Sequence, residues 1–145
     1  MKKALIAVLV PFLTVACGSG DIESDAVPET EDSAGTVTIV SPAQGSSITG
    51  PSVAVQLSST VQLKPAGDLT PATGHHHIFL DADLTLEGVP VPSVPGSIVH
   101  MGDASSTYPF DDVAPGEHRL IVVIADGVHV PLHPWVVDTV TFVVN

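Results

Sequence analysis

From Thr36 onward the apolar residues of this chain come in short, valine-rich runs cut apart by clusters of Pro, Gly, Ser and Asp, and no stretch keeps a helical period beyond two turns. A helical domain is thereby excluded. The runs predict strands near 36–40, 52–58, 75–82, 97–101, 117–125 and 135–144, with a weaker one near 107–110. Leu120 to Ala125 is apolar at every position, as expected of an inner strand with one face on the core and the other partly covered. Many short strands at this spacing indicate an all-β domain, an antiparallel β-sandwich over residues 36–145. The chain of 145 residues has room for that one domain only. Roughly 110 residues bury about two-thirds of the surface their unfolded chain exposes, enough for a core without cross-links. The core has to suffice, because a single cysteine forms no internal disulfide.

Two stretches resemble bacterial immunoglobulin-like domains. Val37-Thr38-Ile39-Val40-Ser41-Pro42, with Gly45, Ile48 and Val53, looks like their opening strand, turn and second strand. Pro115-Gly116-Glu117-His118-Arg119-Leu120, running on to Ala125-Asp126-Gly127, looks like their penultimate strand. The resemblance implies an immunoglobulin-like antiparallel β-sandwich in which His118, two residues after the glycine, is a corner side chain bonded to backbone.

The N-terminus reads as an address. Lys2 and Lys3 precede an uncharged apolar run from Ala4 to Ala16, too short for the ~20 residues that a membrane-spanning helix needs. Residues 1–16 are therefore expected to be a cleavable signal peptide. Leu13-Thr14-Val15-Ala16-Cys17-Gly18-Ser19 resembles a bacterial lipobox, with Thr14 standing where leucine is usual. The resemblance implies lipidation of Cys17 and anchorage in the lipid bilayer of the cell envelope, on the outer membrane facing the periplasm or the cell surface if the host is Gram-negative. Two or three acyl chains hold a protein stably on a bilayer. Ordinary cleavage after Ala16, giving a soluble protein with a free terminal thiol, is the alternative. Residues 17–35 carry six acids among Gly, Ser, Ala and Pro, and are expected to be a disordered acidic tether. Loss of residues 1–16 leaves Lys64 and Arg119 as two cations against 16 acidic residues, a formal charge of −14. Such a surface repels phosphate backbones and excludes nucleic acid as a partner.

All seven histidines lie between residues 75 and 133. Alternate residues of a strand share a face, so His75 and His77 point together with Phe79 and Asp81, while His76 points the other way with Ile78 and Leu80. A His-x-His pair about 6.5–7 Å apart at Cα converges on one ion in strand-borne zinc and copper sites. His129 and His133, on a loop stiffened by Pro131 and Pro134, are candidate further ligands, and so is His100. A nearby Met101 sulfur would favour Cu(I). Structural readings stand beside these: His118 as a corner, His76 as a hydrogen-bonded core residue, and His133-Pro134-Trp135 as surface packing.

Gly74-His75-His76-His77-Ile78-Phe79-Leu80-Asp81, Ile98-Val99-His100-Met101-Gly102, Pro115-Gly116-Glu117-His118 and Asp126-Gly127-Val128-His129-Val130-Pro131 resemble the bacterial family called domain of unknown function 4399, over residues 37–144. That family has histidine at the matching positions and no established activity, so the resemblance implies a domain and not a reaction. Met101 stands where the family often has an aromatic residue.

Asp81-x-Asp83-x-Thr85-x-Glu87 imitates a calcium loop, but Leu86 occupies the place of the sharp-turn glycine. The chain has no nucleophile elbow, phosphate loop or dinucleotide fingerprint, and an enzyme is not expected. The expected function is that of an envelope lipoprotein whose sandwich binds or passes on a transition metal, copper or zinc, through His75, His77, His129 and His100 or His133. The alternative is a non-enzymatic module with structural histidines that partners another envelope protein.

Overall fold

A computed structural model describes residues 35–145. The signal peptide, Cys17 and all but the last residue of the tether lie outside the described residues. Among the described residues nine strands follow one another: β1 (Val37–Ser41), β2 (Ser47–Ile48), β3 (Val53–Ser59), β4 (Gln62–Leu63), β5 (Thr73–Leu80), β6 (Ile98–His100), β7 (Thr107–Phe110), β8 (Gly116–Ala125) and β9 (Val137–Val144). A three-stranded sheet has the order β1-β3-β7, and a larger one the order β2-β9-β8-β5-β4, with β6 also paired to β5. The domain is all-β, an immunoglobulin-like sandwich whose two sheets place the strands as that fold does.

Every pairing longer than two residues is antiparallel, and the parallel ones, β2 with β9 and β4 with β5, are two residues each. The β2–β9 pairing arises where the chain leaves the small sheet after β1 and joins the large one. Gln44 stabilises that crossing, because its side chain accepts from Thr141 N at 2.9 Å and donates to Thr141 Oγ1 at 2.8 Å.

Burial follows the position of each strand. In β1 and β3 it alternates, with Val37, Ile39, Val53, Val55 and Leu57 inward and their neighbours in solvent, as expected of a sheet with one wet face. Facing them are Ile78, Leu80, Leu120, Val122, Ile124 and Phe142 of the large sheet. Each such side chain, fully buried, contributes about 1.5–3 kcal/mol. The centre of the large sheet is buried on both sides, since all eight residues of β5 and the last six of β8 are shielded. A second apolar cluster lies on its outer face, where Phe79, Ile121, Val123 and Ala125 meet Val91, Leu84 and Trp135. The segment between β5 and β6 thus roofs the sheet, and the roof is tied down by Val91 N donating to the His129 carbonyl at 2.8 Å.

Candidate metal centre

Strand alternation splits the triple histidine as the sequence predicts. Ile78 and Leu80 belong to the core between the sheets and Phe79 to the outer cluster, so His75 and His77 face outward and His76 inward. In register, His77 lies opposite His100 of β6, and His75 opposite Ala125 at the end of β8. Beyond Ala125 the chain folds back and bridges Ala125 to Pro131, which carries His129 over His75. His129 adopts the left-handed conformation, φ 70°, at a cost of roughly 1–2 kcal/mol for a non-glycine residue. Asp126 holds it there: its Oδ1 accepts from Val128 N and Val130 N, both at 2.9 Å, and its carbonyl accepts from His129 N at 3.0 Å.

Four imidazoles therefore meet on the outer face, with the six ring-centroid distances among His75, His77, His100 and His129 all between 4.5 and 5.6 Å. One ring nitrogen from each of His75, His100 and His129 lies within 4.8 Å of the others. His77 joins through His75, its Nε2 being 3.1 Å from that of His75. The Nε2 of His100 is also 3.1 Å from the Nε2 of His75. A neutral imidazole has one N–H and one lone pair, so His75 Nε2 makes one good hydrogen bond and not two. The spacing suits a shared ion, because nitrogens 2.0–2.1 Å from one metal lie about 2.9 Å apart at right angles and about 3.4 Å apart in a tetrahedron. Three further ring nitrogens, His75 Nδ1, His77 Nδ1 and His129 Nε2, are buried without a hydrogen-bond partner.

Burial keeps His75 and His77 uncharged at pH 7. The His75 imidazole is pushed down to about 4, by burial first and then by His100 and His129, with Asp126 opposing. That of His77 is pushed down to about 3, by burial and then by His75, His100 and His129. His100 is also lowered, by burial and by His129, against Asp103. Neutral imidazole is the form that ligates a metal, and His75 and His77 hold that form at pH 7.

The other candidates sit elsewhere. His133 is not brought to the cluster; its ring is exposed, with Nδ1 3.7 Å from Glu87 Oε1. Met101 lies 3% exposed in the core between the sheets, on the face of β5 opposite the four rings, so its sulfur is no part of the site. His76 is buried among core residues, and its Nδ1 donates to the Ser105 carbonyl at 2.9 Å. His118 forms the corner: its Nε2 donates to the Ala114 carbonyl at 2.8 Å, its Nδ1 to Asp81 Oδ2 at 2.6 Å, and its ring packs 5.6 Å from Phe142. Asp81 does not continue the face of His75 and His77, because β5 ends at Leu80 and a left-handed Asp81, φ 54°, swings its carboxylate to His118 and Arg119. Asp83 binds Arg119 and Glu87 lies beside His133, so the acids of the calcium-like stretch do not converge.

Two contributors escaped the sequence reading. Asp126, in Asp-Gly-x-His-x-Pro, carries a turn signal but nothing that marks it as the holder of His129. Gly102 presses against His100 so closely that a Cβ there would stand 2.5 Å from Cε1 and 2.6 Å from Nε2 of that ring.

The model of a family described as Domain of unknown function (DUF4399) matches residues 53–145, from the start of β3 through all the cluster histidines to the end of the chain. No curated protein matches. Among solved structures, an engineered protein known from a crystal structure is similar at 12% identity and a TM-score of 0.44, over 77% of this chain and 20% of that one. This chain thus corresponds to about a fifth of that protein, and a likeness of that size carries no argument about fold or function. The family match spans well over half of the sequence, and the chain belongs to the family of unknown function DUF4399.

Proposed function

We propose that the outer-face cluster binds a transition metal ion, copper or zinc, and that the protein holds the ion or passes it on. The observation that carries this reading is the meeting of four imidazoles from β5, β6 and the loop after β8, with the Nε2 atoms of His77 and His100 each 3.1 Å from that of His75 and no carboxylate paired to any of the four among the described residues. All-imidazole donors suit zinc and copper, and oxygen-seeking calcium or magnesium not at all. Met101 on the far face removes the thioether that would single out Cu(I). In this reading Cys17 carries the lipid that fixes the domain to the envelope membrane, as the Leu13–Ser19 pattern suggests. Metal content by mass spectrometry and titration of the full-length protein with zinc and copper test it, and a chain that takes up neither ion overturns it.

A second reading has one observation in its favour. His118 is accounted for by hydrogen bonds at both nitrogens, and His76 leaves its own Nε2 buried without a partner in the core, outside the cluster. If the cluster is likewise a network, the domain is a non-enzymatic interaction module that docks on another envelope protein, and metal titration leaves its melting temperature unchanged.

A further inference from the structure

We infer that the ion enters and leaves the cluster at His100, which gives way to a nitrogen or sulfur donor brought by a second molecule of neutral or positive charge. This rests on the metal-binding reading and adds the route and the chemistry of the exchange partner.

The four ligands are not equally fixed. His75 and His77 are 0% and 1% exposed, on a strand whose neighbours cover both of its faces. His129 is half-buried and its backbone is held on both sides, by Asp126 and by Val91. His100 alone is exposed, at the end of a three-residue edge strand paired only to β5. Beside it, at the edge of the sandwich, opens a cavity of about 560 Å3, bounded by His100, the core residue Met101, Gly102, Asp103, Ser105, Thr107 and Tyr108. The missing Cβ of Gly102 keeps the wall next to His100 Nε2 clear, since a methyl group there would stand 2.6 Å from that atom. An incoming donor therefore meets the cluster at His100, the exposed ligand that borders this cavity.

Exchange at this edge is a ligand substitution. In its first step the bond to His100 Nε2 breaks as one bond to the incoming donor forms, and the bonds to His129, His75 and His77 are then replaced in turn by further donors of the acceptor. The imidazole leaves neutral, and no electron is transferred. The charge of the wall selects the donor. Asp103 stays ionised, because its hydrogen bonds from Ser105, with Oδ1 accepting from Ser105 N at 3.0 Å, hold its carboxyl below the ordinary range. A polycarboxylate is repelled there, and the histidine, cysteine or methionine side chain of a neutral or basic acceptor protein is not.

The test is transfer of zinc from the loaded full-length protein to two chelators in excess, the polyanion EDTA and a neutral pyridine–amine ligand, followed in stopped flow. Thr107→Trp narrows the cavity from the exposed edge of β7, a strand that carries none of the four ligands. It is expected to leave zinc affinity unchanged and to slow transfer to both chelators roughly tenfold, since affinity-neutral obstruction lowers both rates together. Asp103→Asn keeps the acceptor oxygen for Ser105 N and removes only the charge. It is expected to speed extraction by EDTA and leave the neutral chelator unaffected. Wild-type rates for both variants, at wild-type affinity, overturn the route while the metal site stands. A wild-type chain that binds no zinc or copper overturns the site and the route together.

Discussion

At one end of the β5–β8 pair four imidazoles crowd together without a carboxylate partner, and at the other a single imidazole, His118, has a partner on each nitrogen. The strands and the type of residue are the same, but the surroundings are opposite. His118 gives one N–H to Asp81 and one to the Ala114 carbonyl; burial lowers its pKa, but these bonds and the Asp81 charge outweigh burial and raise it. His75 and His77 lose charge to burial and to each other, and keep Nδ1 atoms that bond nothing. His118 is thereby explained by the fold alone. The other arrangement is a local cost that the fold alone does not require, and such costs concentrate where proteins bind or react.

The largest effect expected from this contrast is on metal affinity. Zinc binding free energies of about 10–16 kcal/mol spread over four ligands amount to roughly a hundredfold per ligand. His75→Ala combined with His77→Ala is therefore expected to weaken zinc or copper binding by about four orders of magnitude. Isothermal titration at pH 7 reads this, with circular dichroism to confirm folding. A folded double variant that binds like the wild type places the site elsewhere.

Acid separates the two ends next. The folded pKa values of His75 and His77, about 4 and about 3, lie below the unfolded 6.5, so the unfolded chain takes up protons first. Their contribution to metal-free stability is complete above pH 6.5 and is lost as pH falls toward 4 and then 3, on the order of 3 kcal/mol for one such group. His118 has the reverse sign: its folded pKa is raised, so its contribution is present below 6.5 and is lost as pH rises through the folded value. Metal-free melts from pH 8 to 4 are expected to fall steeply on the acid side in the wild type. Unperturbed imidazoles would release a metal between pH 7 and 5, whereas the depressed His75 and His77 are expected to hold it further into acid. Release centred near pH 6.5 contradicts the burial of the ligands.

His118→Ala is the counterpart at the corner. It leaves a small void beside Phe142 and strips Asp81 and the Ala114 carbonyl of a donor, a loss of about 1–3 kcal/mol in stability. Metal affinity of the folded fraction is expected to stay at the wild-type value. Thermal melts without metal and titrations with it check both halves, and lost binding at an unchanged melting temperature would make His118 a ligand.

Much of this contrast was legible in the chain, because both ends depend on local rules. The period of two along 75–80 set which face each histidine takes, and the Pro-Gly turn before β8 marked His118 as a corner. What depended on distant parts of the chain was not legible. His100 and His133 looked equivalent as ligands, and only the register of β6 on β5 brings one opposite His77 while the other stays beside Glu87. Asp81 and Met101 failed for a related reason. A left-handed residue ends the alternation at 81, and continued alternation through β6 turns Met101 into the core next to Val99. The two parallel pairings were hidden too, since β2 and β4 are two residues long and have no period to read.

The smallest change, Gly102→Ala, separates affinity from stability most sharply. Gly102 lacks the positive φ that would make alanine costly for the backbone itself. The added methyl meets the His100 ring at 2.5–2.6 Å, and Ala66 Cβ at 3.2 Å. His100 is exposed at the end of an edge strand, so its ring rotates away and relieves the contact at little expense to the fold. The melting temperature without metal is expected to stay within a degree or two, as for surface changes of about 0.5 kcal/mol. The displaced Nε2, however, no longer lies 3.1 Å from that of His75, and metal affinity is expected to drop by roughly 10–100-fold, the range seen when a ligand loses its support. His133→Ala is the matched control, because its ring contacts none of the four and its removal leaves affinity unchanged. If Gly102→Ala binds metal like the wild type while His133→Ala weakens it, the fourth ligand comes from the loop before Trp135, and β6 is only the edge of a sheet.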